Sequence, residues 1–188
     1  MIRLLIMLCI GWAVALPAYS QTAQADRAQW LSVSFEEINF ASPVIAHATL
    51  TEELAARFVD ALPKAWEEDM REDGFDPHTL LDLVDALPVN ETLRKENNDY
   101  RLMVTKTERP QTNQTANYLI IRTEKARVPI PLMISSVAVN GIQYLIEDFQ
   151  GKEKELAALV QAIQSTPPGR LYHATDALDN SWMEIRLE

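Results

Sequence analysis

The spacing of apolar residues changes period near the middle of this chain, and the change restricts it to one fold class. Between Leu54 and Pro88 they recur every three or four positions, whereas beyond Asp99 they alternate. The first period buries a stripe of a helix and the second one face of a strand, so helices and a sheet must share a core.

The helical part has clear boundaries. Thr49 followed by Glu52 opens a helix carrying Leu54, Phe58, Ala61, Leu62 and Ala65 on one side. Pro63 removes a donor and clashes one turn back, so it either kinks that helix or starts a new one through Trp66 and Met70 to Asp73-Gly74. Asp76 followed by Pro77 caps a further helix that carries Leu80, Leu81, Val84 and Leu87 to Pro88. The sequence Val-Asp-Ala-Leu-Pro occurs at Val59 to Pro63 and again at Val84 to Pro88. Two copies are too few for a solenoid, which needs about three; they read as a helical pair with a common stop.

The strands follow from alternation. Leu31, Val33 and Phe35 alternate with polar residues, although Ser34 and Glu37 also form a capping box that favours a helical turn. Tyr100, Leu102 and Val104 make a strand, followed by a polar loop from Glu108 to Gln114 and a strand from Ala116 to Thr123 that is apolar on both faces. Asn140-Gly141 is read as a type I′ hairpin joining strands Ile130 to Val139 and Ile142 to Phe149. Lys152 to Gln164 is an amphipathic helix stopped by Thr166-Pro167-Pro168-Gly169, and Arg170 to Thr175 and Trp182 to Leu187 are extended. A strand, a helix and a further strand would cross over right-handed if the strands were parallel. The expected class is α+β: N-terminal helices packed on a mainly antiparallel sheet, with a C-terminal helix and a terminal strand.

The first twenty residues have a different purpose. Arg3, an apolar run from Leu4 to Leu16, and small residues Ala18 and Ser20 have the layout of a cleaved secretory signal peptide. The run is too short for a membrane-spanning helix of about 20 residues. Residues 21–30 form a polar leader, and 31–188 a single domain. The only cysteine, Cys9, leaves with the signal peptide, so the mature chain has no disulfide or thiolate site. That fits an extracytoplasmic protein, expected in a bacterial periplasm. Removal of Arg3 takes the formal charge from −10 to −11. A chain this acidic is repelled by phosphate backbones and anionic lipids, so neither nucleic acid nor stable membrane insertion is expected.

Candidate chemistry is sparse. His78, Asp82 and Asp85 share one side of a predicted helix with Asp76 close by at its cap, and Asp76, His78 and Asp82 could serve a carboxylate and histidine cleft. An acidic surface helix gives the same spacing, and no metal or cofactor is expected. The run Glu67 to Gly74 fails as a calcium loop, because Arg71 and Leu80 occupy ligand positions. No Gly-x-Ser-x-Gly elbow, Ser-x-x-Lys pair or glycine-rich cradle occurs. Trp30, Trp66, Trp182, Phe35, Tyr118 and Tyr144 are assigned to the core in preference to a ligand cavity. Pro129 and Pro131 would lack donors on one side of a strand, so either the strand begins only at Leu132 or its first residues are a sheet edge, beside Ile130, Leu132 and Ile134, that docks another chain or is protected from pairing. The expectation is an exported interaction or ligand-binding domain for an unknown protein or small ligand; the alternative is an extracytoplasmic enzyme with its cleft between helices and sheet.

The leader makes a direct prediction. Expression in a bacterial host should yield an extracytoplasmic product whose N-terminal sequencing starts at Gln21 or nearby, and recovery of intact Met1 in the cytoplasm would refute it.

Overall fold

A computed structural model of the chain describes residues 27–41, 43–110, 114–176, 178 and 180–188, and of Arg27 and Pro110 only the backbone. The expected signal peptide and most of the expected polar leader lie outside the described residues.

In chain order the elements are β1 (Arg27–Glu37), β2 (Val44–Thr51), α1 (Glu52–Ala61), α2 (Lys64–Glu72), α3 (Pro77–Asp85), β3 (Thr92–Glu96) and β4 (Tyr100–Pro110). There follow β5 (Tyr118–Thr123), β6 (Arg127–Pro131), α4 (Ser135–Leu145), a 3-10 turn (Glu147–Phe149), α5 (Glu153–Ser165), β7 (Gly169–Asp176) and β8 (Trp182–Leu187). All eight strands join one sheet in the order β3-β4-β1-β2-β7-β8-β5-β6, and every pairing is antiparallel. The class is α+β, but the chain starts with a pair of strands where N-terminal helices were expected. Glu37 explains why the capping box loses. Its buried carboxylate accepts from the Val44 amide at 3.0 Å across the β1–β2 connection, so it serves the strands.

The strand order contains the same pattern twice. Residues 27–110 make β3-β4-β1-β2, residues 118–187 make β7-β8-β5-β6, and each unit runs two strands, helices, two strands. Within the sheet the units meet through β2 and β7, where Val44 to Ala48 pair with Asp176 to Tyr172. With β6 and β7 in opposite directions and non-adjacent, the condition for a right-handed crossover is not met.

Register defines the core. Leu93, Val104, Val33, Ala48, Tyr172, Ile185, Ile121 and Val128 are successive cross-strand partners from β3 to β6. Cross-strand partners share a face, and this face receives the helices. Helix α1 packs on α5, α5 on α4, and α4 beside β6, while α3 contacts α1 and α2. Leu54, Val59, Leu156, Leu159, Val160 and Ile163 supply the buried stripes of α1 and α5. Burying each such side chain contributes about 1.5–3 kcal/mol.

Helix ends conform to their chemistry. Thr51 caps α1 by accepting from Leu54 N at 3.1 Å, two residues later than expected, because Thr49 pairs with Ser32 inside β2. Pro63 starts a separate helix, and Asp76 caps α3. The far end of α3 is held by Lys106 of β4, whose buried ammonium donates to Val84 O and Asp85 O at 3.4 and 3.2 Å and pairs with Glu52 at 2.7 Å. A cation there complements the negative helix end. Strand β4 also continues to Pro110 in register with Arg27, so Glu108 to Pro110, the start of the expected polar loop, are sheet.

The hairpin expected at Asn140-Gly141 is instead the middle of α4, and the strands assigned on either side reduce to β6, ending at Pro131. The run is apolar at helical as well as alternating positions: Ala138, Val139 and Ile142 are buried on one side of the helix. Gly141 is there for closeness, since a Cβ at this position would lie 3.3 Å from Ile130 Cγ2. Gly141→Val should therefore cost about 1–3 kcal/mol by overpacking. Gly141→Ala should stay within about 1 kcal/mol of wild type, because a comparable gain in helix propensity offsets the contact. Denaturant titration checks both, and equal damage by Ala and Val would indicate a backbone with positive φ.

Candidate functional site

One residue along each strand, the cross-strand row is of another kind. Arg94, Met103, Ser34, His47, His173, Glu184, Arg122 and Arg127 are partners from β3 to β6 on the face the helices leave uncovered. Register adds Arg101 and Arg109 on β4, and Arg170 and Arg186 on β7 and β8. Four glutamates share the face: Glu36, Glu96, Glu184 and, opposite Tyr118, Glu188. Seven arginines against four glutamates give this face a positive excess on a chain of formal charge −10. The acidic residues are concentrated on α1, α2 and α3.

The two units treat their guanidinium groups differently. On β3-β4-β1 they are locked: Arg94 reaches Glu96 at 2.6 Å, and Arg101 reaches Glu36 at 2.8 Å and Glu96 at 3.1 Å. Arg109 stacks over Trp30 at 4.7 Å. On β7-β8-β5 the contacts are looser, with Glu184 3.7 Å from Arg122 and 3.6 Å from Arg186, whereas Arg127 of β6 bonds Glu188 at 2.9 Å. The two Glu184 distances exceed hydrogen-bonding range. A groove of about 630 Å³ lies over this area, lined by Arg122, His173, Thr175, Trp182, Glu184 and Arg186 among others. His173 has its pKa lowered, first by burial and then by the charges of Arg170 and His47, with Glu184 opposing. Its imidazole is held toward the neutral form, which both donates and accepts.

The residues singled out from sequence are elsewhere. Asp76 accepts from Thr79 N and Arg71 Nε, both at 2.7 Å, so it is occupied as a cap and ion-pair partner. His78 and Asp82 are exposed on α3, and Asp85 likewise. No group of three metal-ligating side chains occurs among the described residues. The space between helices and sheet holds a cavity of about 80 Å³ lined by apolar side chains such as Leu54, Phe58, Ile142 and Phe149, together with Tyr172. Neither histidine nor carboxylate lines it.

The aromatic set divides. Trp30, Trp66 and Phe35 are buried, Trp66 packing edge-on against Phe149 at 5.3 Å. Trp182, Tyr118 and Tyr144 are exposed, at 37%, 45% and 86%, which corrects their assignment to the core. Trp182 and Tyr118 stand on the uncovered face, and Tyr144 on the outside of α4.

Of the edge residues, Ile130 and Leu132 are buried and Ile134 is exposed. Strand β6 is the sheet's terminal strand. Leu132 N donates to Asn117 O, and Leu132 O accepts from Gln164 Nε2. With Leu132 facing β5, alternation turns Pro129 and Pro131 outward.

Sequence reasoning passed over His47, His173 and the arginine face. The alternation of Trp182, Glu184 and Arg186 with Met183, Ile185 and Leu187 already places the first three on one side. Their neighbours required the register of strands far apart in sequence. No protein-family model matches the chain, and no curated protein or solved structure is significantly similar to it.

Asp76 yields a pH prediction. Its pKa is lowered from 3.8 to about 2, first by the Thr79 amide and, among the stabilising contacts that follow, by Arg71. Its contribution is therefore complete above its ordinary pKa and lost as pH falls toward 2. Asp76→Ala should cost about 1 kcal/mol at neutral pH, and denaturation curves of the two proteins should converge between pH of about 4 and 2.

Proposed function

We propose that this chain is an exported, non-enzymatic binding domain, acting in the periplasm of a bacterium, and that recognition takes place on the uncovered face of its sheet. One observation carries the reading. Helices cover a single face of an eight-stranded sheet, and the other face gathers a positive excess of arginine with two histidines and an exposed tryptophan. Antiparallel sheets tolerate water on one side without such a composition. Arginine is the residue suited to planar, bidentate recognition of anionic groups. The leader read in the sequence supports export, and the cysteine-free mature chain is compatible with it.

The helical layer serves as support and as the acidic exterior that keeps the domain soluble. A partner drawn to the arginine face is oriented by the opposed charges of the two sides. Glu184 and the loosely held guanidinium groups give that face its most open polar area.

Retention from native envelope extract tests the reading. The mature chain is compared with a His47→Glu/Met103→Glu variant on the uncovered face and with Leu83→Glu on the exposed side of α3. Retained material should fall at least tenfold for the first variant and stay unchanged for the second. Equal retention by all three proteins would overturn it.

A further inference from the structure

We infer that the groove over β7, β8 and β5 binds a small organic anion, whose carboxylate or phosphoryl group is held by Arg122 and Arg186 and whose flat apolar body lies against Trp182. The inference rests on the uncovered face being the recognition surface and names the ligand chemistry of that face.

The internal repetition of the fold supplies the main argument. β3-β4-β1 and β7-β8-β5 are topologically equivalent stretches of one sheet, and both carry arginines beside glutamates. In the first, every guanidinium is engaged at short range, by carboxylates at 2.6 to 3.1 Å or by the Trp30 ring. In the second, Glu184 sits 3.6 and 3.7 Å from the two guanidinium groups it could bridge. Arg186 Nε is shielded from solvent and donates no hydrogen bond, its nearest carboxylate being Glu188 at 3.7 Å. Among the described residues Arg170, the register partner of Arg186, has no carboxylate within ion-pair distance. Guanidinium groups carry five donors each and prefer two parallel bonds to one anionic group. These donors are underused by the protein's own carboxylates.

The room in the groove agrees with that chemistry. About 630 Å³ suits a small organic molecule. Trp182, register partner of Thr175 at the head of the groove, provides an aromatic wall. Two carboxylates, Asp176 and Glu184, line the groove beside Arg122 and Arg186, and register sets Glu184 next to His173. An anion is held there by direct bonds to the two guanidinium groups and not by a net positive lining.

The test uses the mature chain labelled with ¹⁵N and titrated with phenyl phosphate, benzoate, inorganic phosphate and benzyl alcohol. Phenyl phosphate or benzoate should shift amides of β5, β7 and β8 with a Kd of about 1 mM or below. Arg122→Gln/Arg186→Gln should weaken binding at least tenfold, while Arg57→Gln on α1 leaves it unchanged. The tighter of the two aromatic anions identifies the headgroup. Equal binding of benzyl alcohol would overturn the inference by removing the charge, and equal binding of inorganic phosphate by removing the role of Trp182. If the double variant loses its thermal transition, Trp182→Ala and 1 M salt, where the Debye length is about 3 Å, replace it. Binding that survives both refutes the site. Absence of anion binding alongside envelope retention that is still lost in His47→Glu/Met103→Glu would defeat this inference alone, whereas retention insensitive to those changes defeats the underlying reading.

Discussion

Every other feature of this domain depends on one register held across eight strands. Because side chains alternate with a period of two, a slip of one residue in any strand would move its apolar set to water and its polar set beneath the helices. The row from Leu93 to Val128 and the row from Arg94 to Arg127 are consecutive along every strand, and they have opposite character. The helices do not create this difference. They cover whichever face the alternation has made apolar, and α1 and α5 can lie there because their own stripes match it.

The charge distribution follows from the same division. Acidic residues lie along α1 to α3 on the covered side, and arginines stand on the bare side. Total charge therefore describes the molecule badly. A reading from composition alone misses that the uncovered face of the sheet has the opposite sign. Lys106 illustrates how strictly the sides are kept: it is the cation of β4 on the apolar face, and it is consumed by Glu52 and two helix-end carbonyls.

What could be read in advance was local chemistry. Asp76 with Pro77, the break at Pro63 and the stripe of Leu156, Leu159, Val160 and Ile163 each state their structure within one or two turns. Asn140-Gly141 misled because a two-residue motif was weighed above helical burial of Ala138, Val139 and Ile142, and because glycine also serves close approach, here to Ile130. The Val-Asp-Ala-Leu-Pro repeat marks two helix ends and not the repetition of the fold, which has no counterpart at the level of short sequence motifs. His47 and His173 are more than a hundred positions apart and meet only because β2 pairs with β7. The candidate site was illegible for that reason: its residues belong to a long-range register.

Repetition has a consequence for the ends of the sheet. The two units meet head to tail, β2 of one against β7 of the other, and by the same correspondence β6 is the counterpart of β2 and β3 the counterpart of β7. The two outer strands are therefore of the kind that already joins inside the molecule. Copies set side by side would continue the sheet by a translation that never closes, the geometry of a fibre and not of a dimer. Pro129 and Pro131 remove the donors from one of these ends, and the other is a five-residue strand carrying Arg94, Lys95 and Glu96. A fold that repeats itself once is in this way stopped at two, and the residues that stop it contribute nothing to the core.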